Sequence, residues 1–339
     1  MGRHMPTYFK FFLIPAPVKL GFSVCLLGFY GAMGLGSVEA APMQVCQFPD
    51  VLNPAQKNTW AAKVACDEHA LWHQPYINGE GHLIQTGVME AESDALTDGT
   101  AAWRRVERYW RQGAGIEGLY RITDLPDASS SDSRATTVEA IIRSRIVDTP
   151  WSGTFMAYVM RQAGMKPSEF AFEDGHIRYI KPALTSVDSD YAYRAKDPLN
   201  TRIEAGDVLC YVRDSRRVYG VTGFFTWLSE HAHDAASLKM HCDIVVSVNG
   251  QKAYAIGGNV MQAVTMRQLT LTSRGFLSNK HLLPMSAPLS PLDGAHPMLD
   301  VEGQCSPSNE KGCDMNRKDW VVLLKYQTPA AIQDSNRAD

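Results

Sequence analysis

Three side chains far apart in the sequence have the types needed for acyl transfer: Ser152 in PWSGTFMAYVMRQAG, His241 in HCDIVV and Asn259 in IGGNV. A hydroxyl attacks a carbonyl carbon when an imidazole takes its proton, and a third polar group holds that imidazole in the right tautomer. Pro150 and Trp151 interrupt the preceding helical pattern, so Ser152 is predicted to open a new helix. Unpaired backbone N–H groups and the positive end of the helix dipole there favour an anionic nucleophile and an oxyanion beside it. Serine is also a preferred N-cap, which accounts for the same position without chemistry. His241 opens an apolar run read as a strand, from which it can face a nucleophile on a neighbouring helix. An ordinary part-buried histidine fits that pattern too. Asn259 follows Gly257 and Gly258 and is placed to accept the second ring N–H of His241, although Gly-Gly-Asn is equally a turn signal.

Five further residues are candidates for the walls of a substrate cleft: Trp151, Gly153, His176, Asp243 and Gly258. Asp243 lies two residues beyond His241 and shares its strand face, where it either tunes the histidine or pairs with an arginine. His176, preceded by Asp174, either lines the cleft or is a surface helix residue. His231, His233 and Asp234 form the one cluster with metal-ligand chemistry, but their Ala and Ser flanks read better as a solvated loop, and there is no CxxC pair. No metal and no cofactor are therefore expected.

The elements that must position these residues are read from periodicity. Residues 54–71 are predicted helical. A second helix runs over 99–112, with Asp98 as N-cap and Gly113 as its end. Trp103, Val106 and Trp110 lie on one face of it, as core packing or as a sugar-stacking platform. Further helices are predicted over 137–147 and 152–162. Residues 123–135 are polar and Ser/Asp-rich, a loop. Four β-branched runs follow, at 207–212, 242–248, 252–256 and 320–326, with a tight hairpin at Val248-Asn249-Gly250. Helices first and an antiparallel sheet second is an α+β arrangement.

The first forty residues have the order of an export signal: Arg3, Lys10 and Lys19, an uncharged apolar stretch at 20–31, then small residues around Ala40. The expectation is a signal peptide cleaved near Ala40 and a periplasmic or secreted protein; an uncleaved membrane anchor is the other reading. Six cysteines lie beyond that point, and an even number after an export signal favours disulfides. Cys46 with Cys66 can clip the N-terminus to the first helix, and Cys305 with Cys313 flank a polar turn. Cys210 and Cys242 sit in two strand-like runs, bonded across strands or simply buried. The formal net charge of −3 shows no basic excess, so no nucleic-acid partner is expected.

The order of nucleophile at a helix start, histidine at a strand start and polar residue on the next strand resembles the papain-like NlpC-type and CHAP-type cell-wall hydrolases. Trp151-Ser152-Gly153, His241–Val246 and Gly257–Val264 are similar to three segments of one CHAP-like branch. The whole mature chain resembles more closely the family named domain of unknown function 2272. That likeness runs over about residues 70–326, through Glu90-Ala91-Glu92, Leu96, Asp98-Gly99, Trp103, Val106, Tyr109-Trp110, Pro150-Trp151-Ser152, Gly206-Asp207, His241-Cys242-Asp243 and Gly257-Gly258-Asn259. The resemblance implies a papain-like fold, with helices packed on an antiparallel sheet over residues 136–328. A helical extension at 41–122 would precede it, residues 1–40 would be the signal, and 329–339 a disordered tail. It implies amide hydrolysis in peptidoglycan, with Ser152 as nucleophile, His241 as base and Asn259 as orienting residue. The departure is serine where these families carry cysteine. A serine hydroxyl is far less acidic than a thiol and needs its base aligned throughout. The change therefore either converts the site to serine chemistry or leaves an inactive module that binds cell-wall peptide or a partner protein.

Overall fold

The structure, a computed structural model, describes residues 45–116, 119, 136–186, 190–213, 218–283 and 313–327. The expected signal, the 123–135 loop, Cys305 and the 329–339 tail lie outside these residues. Contacts divide the chain into Met1–Glu39, none of which is described, and Ala40–Asp339. Within the latter, six α-helices and an eight-stranded sheet are described, a mixed α+β architecture.

The sheet begins with two short N-terminal strands, β1 (Tyr76–Ile77) and β2 (Leu83–Gln85). It continues with β3 (Tyr193–Lys196), β4 (Val208–Val212), β5 (Met240–Asn249), β6 (Lys252–Val260), β7 (Ala263–Thr270) and β8 (Asp319–Tyr326). Their order across the sheet is β2-β1-β7-β6-β5-β4-β8-β3. Every neighbouring pair is antiparallel except β1 with β7, which is parallel. The β5–β6 hairpin closes at the Asn249–Lys252 pair, with Gly250 (φ 58°) first of the two turn residues, the place where a two-residue hairpin demands a left-handed backbone. The β6–β7 hairpin closes at Val260–Ala263 around Met261 and Gln262, both left-handed without being glycine. Glu90 N–H donates to Gln262 O at 2.8 Å and holds that turn.

Helices α1 (Lys57–Leu71), α2 (Ala102–Gln112), α3 (Thr136–Asp148), α4 (Ser152–Gln162) and α5 (His176–Thr185) precede or interrupt the strands, and α6 (Gly220–Glu230) lies between β4 and β5. Helix α4 is buried on all sides from Ser152 to Met160, so it is the central helix. It packs on β5 and β6 and is flanked by α1 and α2. Alternation along the strands divides the apolar residues between two clusters. In β4, Val208, Cys210 and Val212 join the larger cluster with the helices. Leu209 and Tyr211 join a smaller one with Val245, Leu269 and Trp320.

The helices expected at 54–71, 137–147 and 152–162 form, as do the four predicted strands. The 99–112 helix starts later, at Ala102, because the Asp98 carboxylate accepts the Thr100 N–H at 2.9 Å in a turn before the helix. Trp103, Val106 and Trp110 are buried, so that face packs the core and offers no platform for sugars. Cys46–Cys66 and Cys210–Cys242 are disulfides, and Cys313 is disulfide-bonded as well. These bonds are consistent with an oxidising compartment. Among the described residues no helix is long and apolar enough to cross a membrane.

Inside the helical layer, the Glu68 carboxylate of α1 accepts from Arg105 Nε (2.8 Å) and Arg105 Nη2, from the Tyr109 hydroxyl (2.6 Å) and from the Tyr158 hydroxyl (3.0 Å). One buried acid thus ties α1 to α2 and α4. One residue on, His69 Nε2 lies 2.9 Å from Pro75 O and donates to it, and burial pulls the imidazole down to about 4. Below the ordinary histidine range the unfolded chain binds a proton that the folded chain does not, so stability falls as pH drops from about 6.5 towards 4. A loss of about 2–3 kcal/mol from this group is expected between pH 7.5 and 4.5. Urea unfolding at both pH values should show a smaller acid loss for His69→Gln than for the parent; equal losses would assign the effect elsewhere.

Candidate functional site

Ser152 is the first residue of α4, with Trp151 as its N-cap. Among the described residues its hydroxyl bonds to no backbone group of the helix's first turn. Instead Oγ lies 2.7 Å from His176 Nε2, so the N-cap explanation of this serine does not hold. His176 is the first residue of α5, and its Nδ1 bonds the Tyr179 hydroxyl one turn along the same helix. Gly153 makes the Ser152–His176 approach possible. A Cβ there would stand 2.0 Å from Asp174 O, so only glycine lets the chain entering α5 lie against the first turn of α4.

His241 is the second residue of β5. Its Nε2 lies 2.8 Å from Asp243 Oδ1, and Asp243 Oδ2 lies 2.8 Å from Arg267 Nε on β7. Residues two apart on a strand share a face, which puts carboxylate and imidazole side by side. Gly257 on β6 leaves the space they occupy. A Cβ at Gly257 would fall 1.9 Å from Asp243 Oδ1 and 2.8 Å from His241 Nε2. The His241 ring stands between Tyr211, 5.2 Å away between centroids, and His176, 5.4 Å away. Ser152, His176, His241, Asp243 and Arg267 therefore form a continuous chain of contacts.

Burial sets the charges along this chain. Ser152 and His176 are each 5% exposed, His241 2% and Asp243 0%. Burial pushes His176 well below the usual histidine range, and the neighbouring His241 adds to the shift. Burial also lowers His241, against the opposing pull of Asp243. Burial alone would raise Asp243, but Arg267 and then His241 outweigh it and hold the carboxyl below its ordinary value. Two neutral imidazoles thus lie beside an ionised, arginine-paired carboxylate.

The direct partner of Ser152 is His176, a residue placed by sequence only on the cleft wall, and His241 is reached beyond it. Asp243 takes the place beside His241 foreseen for Asn259. No hydrogen bond among the described residues joins Asn259 to His241, because Asn259 lies past a register shift in β6 with φ 57°. Trp151 is wholly buried, 5.5 Å from Trp72 and 5.6 Å from Tyr109 between ring centroids, and its Nε1 donates to Glu90. Gly258 lies under Phe155, where a Cβ would come within 2.5 Å of that side chain. These two residues build the floor of the site and do not line a solvent-filled groove. His231 Nδ1 pairs with Asp234 Oδ2 at 2.6 Å, and Lys181 Nζ bonds the Asp234 and Ala236 carbonyl oxygens at 2.9 Å each. That loop is tied to α5, and no cluster of three potential metal ligands occurs among the described residues. A cavity of about 320 Å³ lies between α5 and this loop, with Ile177, Arg178, Lys181 and His233 among its lining residues.

Residues 97–326 match the model of a family described as an uncharacterized protein conserved in bacteria (DUF2272). The chain belongs to this family. The DUF2272 match spans every residue of the Ser152–Arg267 chain of contacts and leaves out α1, β1, β2 and the Glu90 segment. No curated protein and no solved structure matches the chain.

Proposed function

We propose that the chain is an exported, papain-like hydrolase that cleaves amide bonds of peptidoglycan by acyl transfer through Ser152, after loss of a signal peptide near Ala40. The observation that carries this reading is a buried serine at a helix start, hydrogen-bonded to one neutral imidazole, with a second imidazole held by a buried carboxylate beside it. His241 is the general base, because Asp243 stabilises the imidazolium that forms and keeps Nε2 protonated. Ser152 Oγ bonds to the carbonyl carbon, the π pair moves to oxygen, and the hydroxyl proton passes to His241, which lies beyond His176, by way of one bridging water. Backbone N–H groups of the first turn of α4 face the oxyanion. Collapse breaks the C–N bond, the leaving amine takes the proton from His241, and water then hydrolyses the ester by the same route. The choice of peptidoglycan rests on the resemblance to CHAP-type and NlpC-type hydrolases.

The test is a fluorophosphonate probe applied to the full chain, followed by peptide mass spectrometry. A Ser152 adduct is expected, absent from Ser152→Ala, together with release of soluble fragments from purified peptidoglycan. No adduct and no release, with Ser152→Ala and Ser152→Cys indistinguishable from the parent, would sink the hydrolase reading. The near-complete burial of Ser152 favours a second reading, an inactive module that holds cell-wall peptide or a partner protein. It predicts peptidoglycan pull-down without cleavage, unchanged in Ser152→Ala.

A further inference from the structure

We propose that His176 is a fixed hydrogen-bond donor to Ser152 Oγ, locked in that role by Tyr179, and is not the group that accepts the serine proton. The inference rests on the hydrolase reading for its consequence but on local geometry for its content. The Tyr179 hydroxyl is fully buried, and His176 Nδ1 is its one hydrogen-bond partner among the described residues. A buried hydroxyl hydrogen left without an acceptor is strongly disfavoured, because its desolvation is not offset. The hydrogen therefore points at Nδ1, and Nδ1 carries the lone pair. A neutral imidazole has a single N–H, so it sits on Nε2 and is aimed at Ser152 Oγ, 2.7 Å away. Ser152 keeps 5% exposure where Tyr179 has none, so of the two hydroxyls it is the serine whose hydrogen can turn to solvent or substrate, and its oxygen accepts from His176.

The second imidazole is set the opposite way round. Asp243, ionised and paired with Arg267, accepts the Nε2–H of His241 and leaves Nδ1 bare. The site thus holds two neutral histidines of the same tautomer, one presenting N–H to the serine and the other presenting a lone pair. The groups facing His176 are Ser152 from α4, Tyr179 from its own helix, His241 and Asp243 from β5, and Arg213 just after β4. Those beyond Ser152 and Tyr179 leave the argument unchanged, because they bear on protonation and not on which ring nitrogen carries the hydrogen. A donor to Oγ fixes the oxygen for attack and carries the developing negative charge in the second step, when the serine departs.

Long-range ¹H–¹⁵N spectra of the histidine-labelled full chain read the tautomers directly, with no substrate. The expected result is Nε2–H for both His176 and His241 at neutral pH. His176 found as Nδ1–H would overturn the proposal, whether or not Ser152 reacts with any probe, so this measurement fails separately from the hydrolase reading. Among variants, Tyr179→Phe should move His176 to a mixed tautomer and slow fluorophosphonate labelling about tenfold. His176→Gln keeps an N–H donor at the same place. It should hold labelling within about tenfold of the parent and leave the acidic limb of the pH–rate profile in place, while His176→Leu loses at least a hundredfold. Loss of that limb in His176→Gln would make His176 the base and refute the assignment.

Discussion

Asp243→Asn is expected to slow Ser152 labelling by about 10⁴-fold, the cost of presenting a base in the wrong tautomer. The Asp243 carboxylate accepts from His241 on one oxygen and meets the Arg267 guanidinium on the other. A carboxamide offers one acceptor and one donor. If its oxygen serves His241, its NH₂ group faces Arg267, donor against donor. If it turns the other way, His241 moves its hydrogen to Nδ1 and loses the lone pair that takes the serine proton. Either arrangement leaves a buried guanidinium short of its counter-charge, which costs a further 3–5 kcal/mol of stability, roughly. Labelling rates and urea midpoints measured together separate the effects. A variant with near-parental labelling would show that His241 does not serve as base.

Glu68→Gln is the substitution with the largest expected effect on folding alone. It removes the carboxylate that is hydrogen-bonded to Arg105 and turns one of the oxygens shared by Arg105, Tyr109 and Tyr158 into a donor. Breaking a buried pair in this way costs about 3–5 kcal/mol, because the surviving charge stays desolvated. The exposed Lys63–Asp67 pair on the same helix is the internal control, and Asp67→Asn should change stability by less than about 1 kcal/mol. Comparable urea midpoints for the two variants would mean that Arg105 finds water or another partner when Glu68 is neutral.

How far such detail can be read from sequence depends on whether its cause is local. The bounds of α4 were legible because Pro150-Trp151 and Ala163-Gly164 punctuate it on both sides. The placement of Asp243 beside His241 followed from the two-residue period of a strand. Helix α5 was missed because HIRYIKPALT carries Pro182 inside it and mixes charge with apolar residues. Helix α6 was missed because its run of Phe224, Phe225 and Trp227 follows Gly220 and Gly223, which read as breaks. Strand β7, with Arg267 and Gln268 buried within it, lacks the apolar alternation of a recognisable strand. The Ser152–His176 contact has no local signature at all. It exists because Gly153 allows the backbone of Asp174 to come close, and a glycine in a helix says nothing in sequence about what will lie against it.

The parallel pairing of β1 with β7 has a bearing on where this molecule can be divided. Tyr76 donates its hydroxyl hydrogen to Gln268 across 192 positions, and its strand covers β7, with β2 outside it as the border of the sheet. A chain beginning at residue 97, where the family match starts, would reach the ribosome's exit with β7 as an unprotected rim and with Arg105 without its buried Glu68 partner. The stretch shared by relatives and the stretch that folds are therefore different objects, and the latter reaches back at least to Glu68.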